Sequence, residues 1–318
     1  MIELEQAWAW REKNKLFSGT EAQRWFHGPS EGRGPTRALM IEVFANHAWV
    51  IEREMKEPLQ PSIREQVAQF LKSKGVQSGV WLGRPEKGVP SEPSVFFGSP
   101  PKEGLAIKED GALFEIRYQG TRHPGLFLDH RPLRKLLRST VKDLRVLNTF
   151  CYTGSLSIAC GLGQAAQVTS LDLSKPSIEW AKKNWQLNAL PEDRAEWLVG
   201  DYFEMLPLMV KRERRFDCVI LDPPSFSRGH KGTFSTQKDL VRLHELALKL
   251  IEPGGRLITS INSAQLTESF FEEQIQIALK QAKRRSSTLQ KIEQPETFPV
   301  RADHPEDRYL KGFVLSIL

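Results

Sequence analysis

From residue 144 onward, apolar runs of strand length alternate with segments of helical spacing. The runs are LRVLNTF (144–150), QVTSLDLS (167–174), AEWLVGDY (195–202), FDCVILDPP (216–224) and RLITSIN (256–262). Helical patterns lie between them at 155–163, 175–189 and 238–251. A strand covered on both faces reads as a nearly continuous apolar run, and a return to a parallel neighbour needs a crossover, usually a helix. The alternation therefore predicts an α/β domain built on a doubly wound parallel sheet. A helix at 267–283 and strands near 288–293 and 309–318 extend it.

The first ~125 residues follow a different grammar and predict a smaller mixed α/β domain over 1–125, ahead of the sheet domain at 126–318. Residues 1–17 suit an amphipathic helix. ALMIEVF (38–44) and HAWVIER (47–53) read as strands joined by a turn at Ala45-Asn46. Ile63, Val67, Phe70 and Leu71 recur at helical spacing within 62–74, with Ser62 as the expected N-cap and Glu65 completing a capping box. The proline-rich stretch from Gly83 to Gly104 predicts a loop. Strands are expected at 111–118 and 125–129, then a short basic helix after Arg131-Pro132.

Ligands of open parallel sheets gather at the carboxyl ends of the strands. The first run ends in Asn148-Thr149-Phe150-Cys151-Tyr152-Thr153-Gly154-Ser155, a single-glycine turn rather than the three-glycine dinucleotide fingerprint. The second ends in Asp172-Leu173-Ser174, where an acid can accept both hydroxyls of a ribose. The third ends in Gly200-Asp201-Tyr202, where a carboxylate can accept from an adenine amino group. The fourth ends in Asp222-Pro223-Pro224-Ser225-Phe226. Taken singly, an Asp after a strand is equally well a helix N-cap. The glycine turn and three acids in order suit a nucleoside lying across the strand ends.

These residues make the chain similar to class I S-adenosylmethionine (SAM)-dependent methyltransferases. More narrowly it resembles the ribosomal RNA large-subunit methyltransferases of the RlmI/RlmK type, over about residues 105–318. The resemblance rests on the strand ends above and on three further stretches: Gly125 to Arg131; Glu179-Trp180-Ala181 with Asn184 and Leu187-Asn188; and Ala302 to Pro305 with Tyr309 to Phe313. It implies a Rossmann-like methyltransferase sheet, with a front domain that helps to bind RNA. It further implies SAM as cofactor, with Asn148, Phe150, Tyr152, Thr153, Gly154 and Ser155 around its methionine part. Asp172 with Ser174 would serve the ribose, Asp201 with Tyr202 the adenine, and Asp129 and Arg131 would close over it, Arg131 on the carboxylate. Asp222, Pro223 and Pro224 would face the transfer site.

The target atom constrains the chemistry. Cytosine C5 normally needs a thiolate to add at C6, whereas guanine N7 carries its own lone pair and needs positioning. Of the three cysteines, Cys160 and Cys218 read as core residues, and Cys151 lies in the cofactor loop. RlmI-type cytosine enzymes are expected to carry a cysteine at the fifth strand end, where this chain has Ser260-Ile261-Asn262-Ser263. The expectation is direct, non-covalent transfer to a ring nitrogen, guanine N7 favoured, with Asp222 and Asn262 on the base edge and Phe226 stacked on it. A cytosine-C5 enzyme, a small-molecule methyltransferase and a non-catalytic RNA-binding or assembly protein with a relic cofactor site stand as alternatives.

Charge bears on the partner. Residues 126–318 hold 28 Lys+Arg against 23 Asp+Glu, or +5 of the chain's formal +6, and the remaining +1 falls in 1–125. Arg228, His230 and Lys231, next to Asp-Pro-Pro, are the expected contacts for an RNA backbone, with 23S rRNA the implied substrate. Other basic clusters, such as those around Arg145, Arg214 and Arg284, read equally well as solvated faces. Trp8, Trp10, Trp25, Trp49 and Trp81 are candidates for base stacking or, more simply, for the front core. Three cysteines without a CxxC pair exclude a disulfide scaffold and predict no metal site. The charged N-terminus, lacking an apolar stretch, and the absence of a ~20-residue apolar span predict a cytoplasmic protein without a membrane partner. Oligomeric state is left open, a homodimer among the options.

Overall fold

The computed structural model describes residues 2–53, 59–83, 91–224, 226–229, 232–263, 265–303 and 308–318, with backbone alone for 226–229, 232–234, 236 and 288–289. The chain divides into two units, Met1–Leu128 with Pro295–Asp307, and Asp129–Gln294 with Arg308–Leu318. No helix among the described residues is long and apolar enough to cross a membrane.

The first unit contains, in chain order, α1 (Ile2–Lys13), β1 (Ala22–His27), α2 (Gly28–Glu31), β2 (Leu39–Phe44), β3 (His47–Glu52), α3 (Pro61–Ser73), β4 (Ser78–Leu82), β5 (Pro93–Phe97), β6 (Leu105–Glu109) and β7 (Ala112–Ile116). Strands β1 to β5 form one sheet in sequence order. Only β3 and β4 pair in parallel, because α3 carries the chain across between them. Trp25, Trp49 and Trp81 are buried, which places them in the core, while Trp10 stays exposed.

Several local expectations are corrected. Helix α3 begins at Pro61 with Gln60 as N-cap and no side-chain cap, so the Ser62–Glu65 capping box does not form. Proline at the first helical position loses no hydrogen bond and sets φ by itself. The stretch expected as one loop from Gly83 to Gly104 contains β5, which pairs antiparallel with β4 and starts at Pro93. An edge strand tolerates that proline because no neighbour needs its N–H. The strand expected at 125–129 is instead a 3₁₀ turn, Leu128–His130, leading into a helix. Helix α1 ends at Lys13, short of residue 17, and β1, β4 and β6 were not expected.

Charged groups are also buried in this unit. The Arg24 guanidinium donates to Glu42 Oε1 at 2.6 Å and lies over the Phe298 ring, 4.3 Å from its centroid. Arg11, fully buried, forks onto both oxygens of Glu31 and donates to the Thr297 carbonyl. Thr297 and Phe298 are thereby tied to this unit through cation contacts that an apolar pattern does not encode.

The second unit holds α4 (Arg131–Thr140), β8 (Arg145–Thr149), α5 (Ser155–Leu162), β9 (Gln167–Asp172), α6 (Lys175–Leu187), β10 (Ala195–Val199), α7 (Tyr202–Lys211), β11 (Phe216–Leu221), β12 (Phe226–Gly229), β13 (Gly232–Ser235), α8 (Thr236–Leu248), β14 (Ile251–Asn262), α9 (Glu268–Gln281), β15 (Ser286–Lys291) and β16 (Leu310–Ile317). Its seven-stranded sheet runs β10-β9-β8-β11-β14-β16-β15. The first five strands are parallel, and β16 is antiparallel to both of its neighbours. Helix α7 escaped the periodicity because Pro207 sits inside it, where it removes one helical hydrogen bond. Leu147, Leu221, Leu257 and Phe313 are completely buried in one apolar layer, and Val146, Cys160, Cys218 and Ile220 in another. Each large side chain so buried contributes on the order of 1.5–3 kcal/mol.

Removing one partner of a buried ion pair strands the other. Arg24→Met is expected to lower stability by about 3–5 kcal/mol, read as a lower urea midpoint in tryptophan fluorescence.

Candidate active site

The order of the sheet turns over between β8 and β11, since crossovers to β9 and β10 run one way and those to β14 the other. Strand ends at such a reversal are left uncovered by helices. Thr149 lies level with Leu171 on one side and with Leu221 on the other, and Leu221 is level with Thr259. Phe150, Asp172, Asp222 and Ser260 are thus the next residues along four adjacent strands.

The turn after β8 is tight. Phe150, Tyr152 and Gly154 have φ of 54°, 48° and 77°. A Cβ on Gly154 would come within 2.8 Å of the Ala181 Cβ, so only glycine fits between the turn and α6. The turn is held by the Cys151 amide on the Leu171 carbonyl, the Asn184 side chain on the Thr153 carbonyl, and the Tyr152 amide on Asp172 Oδ2 at 2.8 Å. Ser155 opens α5 directly behind it.

Asp172 accepts from the Ser174 amide through its other oxygen, also at 2.8 Å. Burial pushes its carboxyl above the usual range, against the pull of the Ser174, Tyr152 and Leu173 amides. It is not a helix cap, because Ser174 caps α6 by accepting from the Ser177 amide. Asp201 does cap α7, accepting from the Phe203 amide through Oδ1. Leu173 and Val199, 40 % and 48 % exposed, give this end of the sheet an apolar surface that sequence reasoning passed over.

Other expected residues lie deeper. Asn148 is 1 % exposed and donates to Ser157 inside the sheet layer. Tyr202 is in the core, its hydroxyl donating to the Leu243 carbonyl and its ring stacked on Phe150 at 5.0 Å. Thr153 is buried, and Arg131 is half-buried at the start of α4.

On the other side of the reversal, Asp222 anchors a cluster. Its Oδ1 accepts from the Ser260 hydroxyl at 2.6 Å and lies 3.4 Å from His130 Nε2. His130 Nδ1 is 3.1 Å from Asp129 Oδ1, and the Tyr309 hydroxyl donates to Asp129 Oδ2. His130 is fully enclosed. Burial alone would lower its pKa, but the carboxylates of Asp222 and Asp129 prevail and push it up to about 10. His130, Ser260 and Tyr309 were not among the expected site residues. Their signal was faint: a histidine between an acid and Arg131, and a hydroxyl before Asn262. Pro223 is buried, while Pro224 and Asn262 are exposed. The backbones of Phe226 and Arg228 lie in β12, which pairs antiparallel with β13. Their side chains, and Ser225, His230 and Lys231 entirely, lie outside the described residues.

All three thiols are buried. Burial and the nearby Asp172 push up the pKa of Cys151, burial and Cys218 raise that of Cys160, and burial pushes Cys218 to about 12. Some basic residues are structural. Arg145 pairs with Asp217 and Glu252, Arg214 with Glu196, and Arg284 donates to the carbonyls of Leu248 and Ile251.

Gly154→Ala is expected to cost about 1–3 kcal/mol from the left-handed conformation alone, with a further contribution from the clash with Ala181, measured by denaturant unfolding.

The profile of the S-adenosylmethionine-dependent methyltransferase family matches residues 71–310. The chain is 30 % identical over 318 residues to the ribosomal RNA large subunit methyltransferase I of Enterobacter sp. (strain 638), covering 99 % of this chain and 79 % of that protein. It is 31 % identical over 234 residues to the protein of the same name from Photobacterium profundum, covering 74 % of this chain and 59 % of that one. The crystal structure of the methyltransferase SMU.776 complexed with SAH superposes with a TM-score of 0.88 at 26 % identity, over 99 % of this chain and 80 % of that one. By its strand order, its site and these likenesses, the chain belongs to the S-adenosylmethionine-dependent methyltransferase family.

Proposed function

We propose that the chain methylates a base of large-subunit ribosomal RNA, 23S rRNA by analogy with its relatives, by direct transfer to a ring nitrogen, with guanine N7 favoured. The residues present fit SAM. The half-exposed Asp172 carboxylate is held open by backbone amides at a strand end, Asp201 keeps one oxygen beyond its cap, and the exposed Leu173 and Val199 give an adenine ring an apolar seat. When bound, SAM supplies an electrophilic methyl on a sulfonium. Asp172, positioned by Tyr152 and Ser174, accepts the ribose hydroxyls. Asp201 accepts from the adenine amino group. The turn from Phe150 to Ser155, with Asp129 and Arg131, surrounds the methionine part. Asn148, Thr153 and Tyr202 support these walls from within the fold.

The observation that carries direct transfer is the burial of every thiol in the chain, each with its pKa raised. Covalent activation of cytosine needs an accessible thiolate, whereas N7 needs only orientation against the methyl. Asp222 and Asn262 hold the base edge, Pro223 and Pro224 shape the loop, Phe226 stacks on the base, and Arg228, His230 and Lys231 take the phosphate backbone. The front domain adds RNA-binding surface.

Mass spectrometry of 23S rRNA nucleosides from cells with and without the gene is expected to show one 7-methylguanosine lost with it. Loss of 5-methylcytidine alone would sink the direct-transfer reading. Asp172→Asn is expected to weaken SAM binding by roughly 10–100-fold, the worth of a hydrogen bond to a charged group, measured by calorimetry.

A further inference from the structure

His130 is enclosed between two carboxylates that use its two ring nitrogens separately. Nδ1 lies 3.1 Å from Asp129 Oδ1 and Nε2 lies 3.4 Å from Asp222 Oδ1. The Ser260 hydroxyl, also 3.4 Å from Nε2, sits 2.6 Å from that same Asp222 oxygen, so its proton is committed to the carboxylate and its lone pair faces the ring. An ionised carboxylate only accepts, and a neutral imidazole has one donor. Satisfying both sides therefore takes two ring N–H groups. Other charged or hydroxyl groups lie on the neighbouring elements. Tyr309 donates to the far oxygen of Asp129, and the Lys311 ammonium is spent on the carbonyls of Ser263 and Arg308. Arg131 and Arg134 follow on α4, the latter buried.

We propose that His130 is a positioning residue, a charged clamp that donates to Asp129 on one side and to the Ser260 hydroxyl on the other, and so fixes the Asp222 carboxylate, which accepts from Ser260 and pairs with the ring charge, at the transfer site. Ser260 and His130 both address Oδ1, which leaves Oδ2 of Asp222 for the substrate base. Held this way, Asp222 works by orientation. That matches transfer to a nitrogen that carries its own lone pair, where no base is needed. The role rests on the proposed reading of Asp222 as a base-edge contact. With the ring pKa near 10, its charge is complete at neutral pH and is lost only as pH rises through that value, so the clamp loosens on the alkaline side.

Two measurements on the full chain test it. In ¹⁵N-histidine NMR, with the His130 signal identified by its loss in H130Q, both ring nitrogens should be protonated at pH 7.5, and the second proton should be lost only as pH rises through about 10. A non-protonated ring nitrogen at pH 7.5 overturns the clamp, and this reading needs neither substrate nor an active variant. In single-turnover transfer from tritiated SAM at saturating concentration to large-subunit rRNA, H130Q should be at least ~10-fold slower at pH 7.5. The wild-type rate should fall as pH climbs toward 10, and the H130Q rate should not, since glutamine does not titrate. A wild-type rate and pH profile in H130Q also overturn it. If the wild type itself transfers no methyl to RNA, the proposed substrate fails while the NMR result still decides the clamp.

Discussion

The reversal of strand order between β8 and β11 is the constraint on which the rest of this protein depends. Crossovers leave β8 toward β9 in one direction and lead from β11 toward β14 in the other. The carboxyl ends of the central strands are therefore left free of covering helices. The left-handed turn at Phe150–Gly154, the carboxylate of Asp172, and the Asp222 cluster one strand away gather there. The site is a by-product of topology that the side chains then exploit.

Burial of charge is the second theme, and it is resolved differently on the two sides of the reversal. Asp172 is satisfied by backbone amides, which cost no second charge and leave its ionisation opposed by burial. Asp129 and Asp222 instead share a cation, His130, whose own burial penalty their two charges exceed. Isolated buried charges are costly in a medium of low polarisability, so paired or amide-bound carboxylates are the stable solutions. The first kind suits a carboxylate that must accept from neutral hydroxyls. The second suits one that must keep a fixed orientation.

The legibility of the sequence follows from the range of the interactions involved. The parallel sheet and its acids were readable because the five apolar runs and the residues after them are local patterns. The cap at Ser62 misled because Pro61 already starts α3 without a side-chain partner. Strand β5 was hidden by Pro93, since whether a proline is tolerated depends on lying at a sheet edge, which only pairing reveals. Helix α7 was masked by Pro207 in the same way. Asp172 and Asp201 looked equivalent, yet one is held by the turn of another strand and the other caps its own helix.

By itself, then, the sequence determined the α/β class, the order of strand-end residues Gly154, Asp172, Asp201 and Asp222, and the want of a cysteine at the fifth strand end, because each is written in consecutive residues. Only the tertiary structure decided that His130 reaches Asp222, that Tyr309 closes on Asp129, and that Ser260 rather than Asn262 bonds the Asp222 carboxylate. Those partners are separated by tens to hundreds of residues along the chain. Their meeting is set by the register of β8, β11, β14 and β16, which depends on how whole strands pack and which no local pattern records.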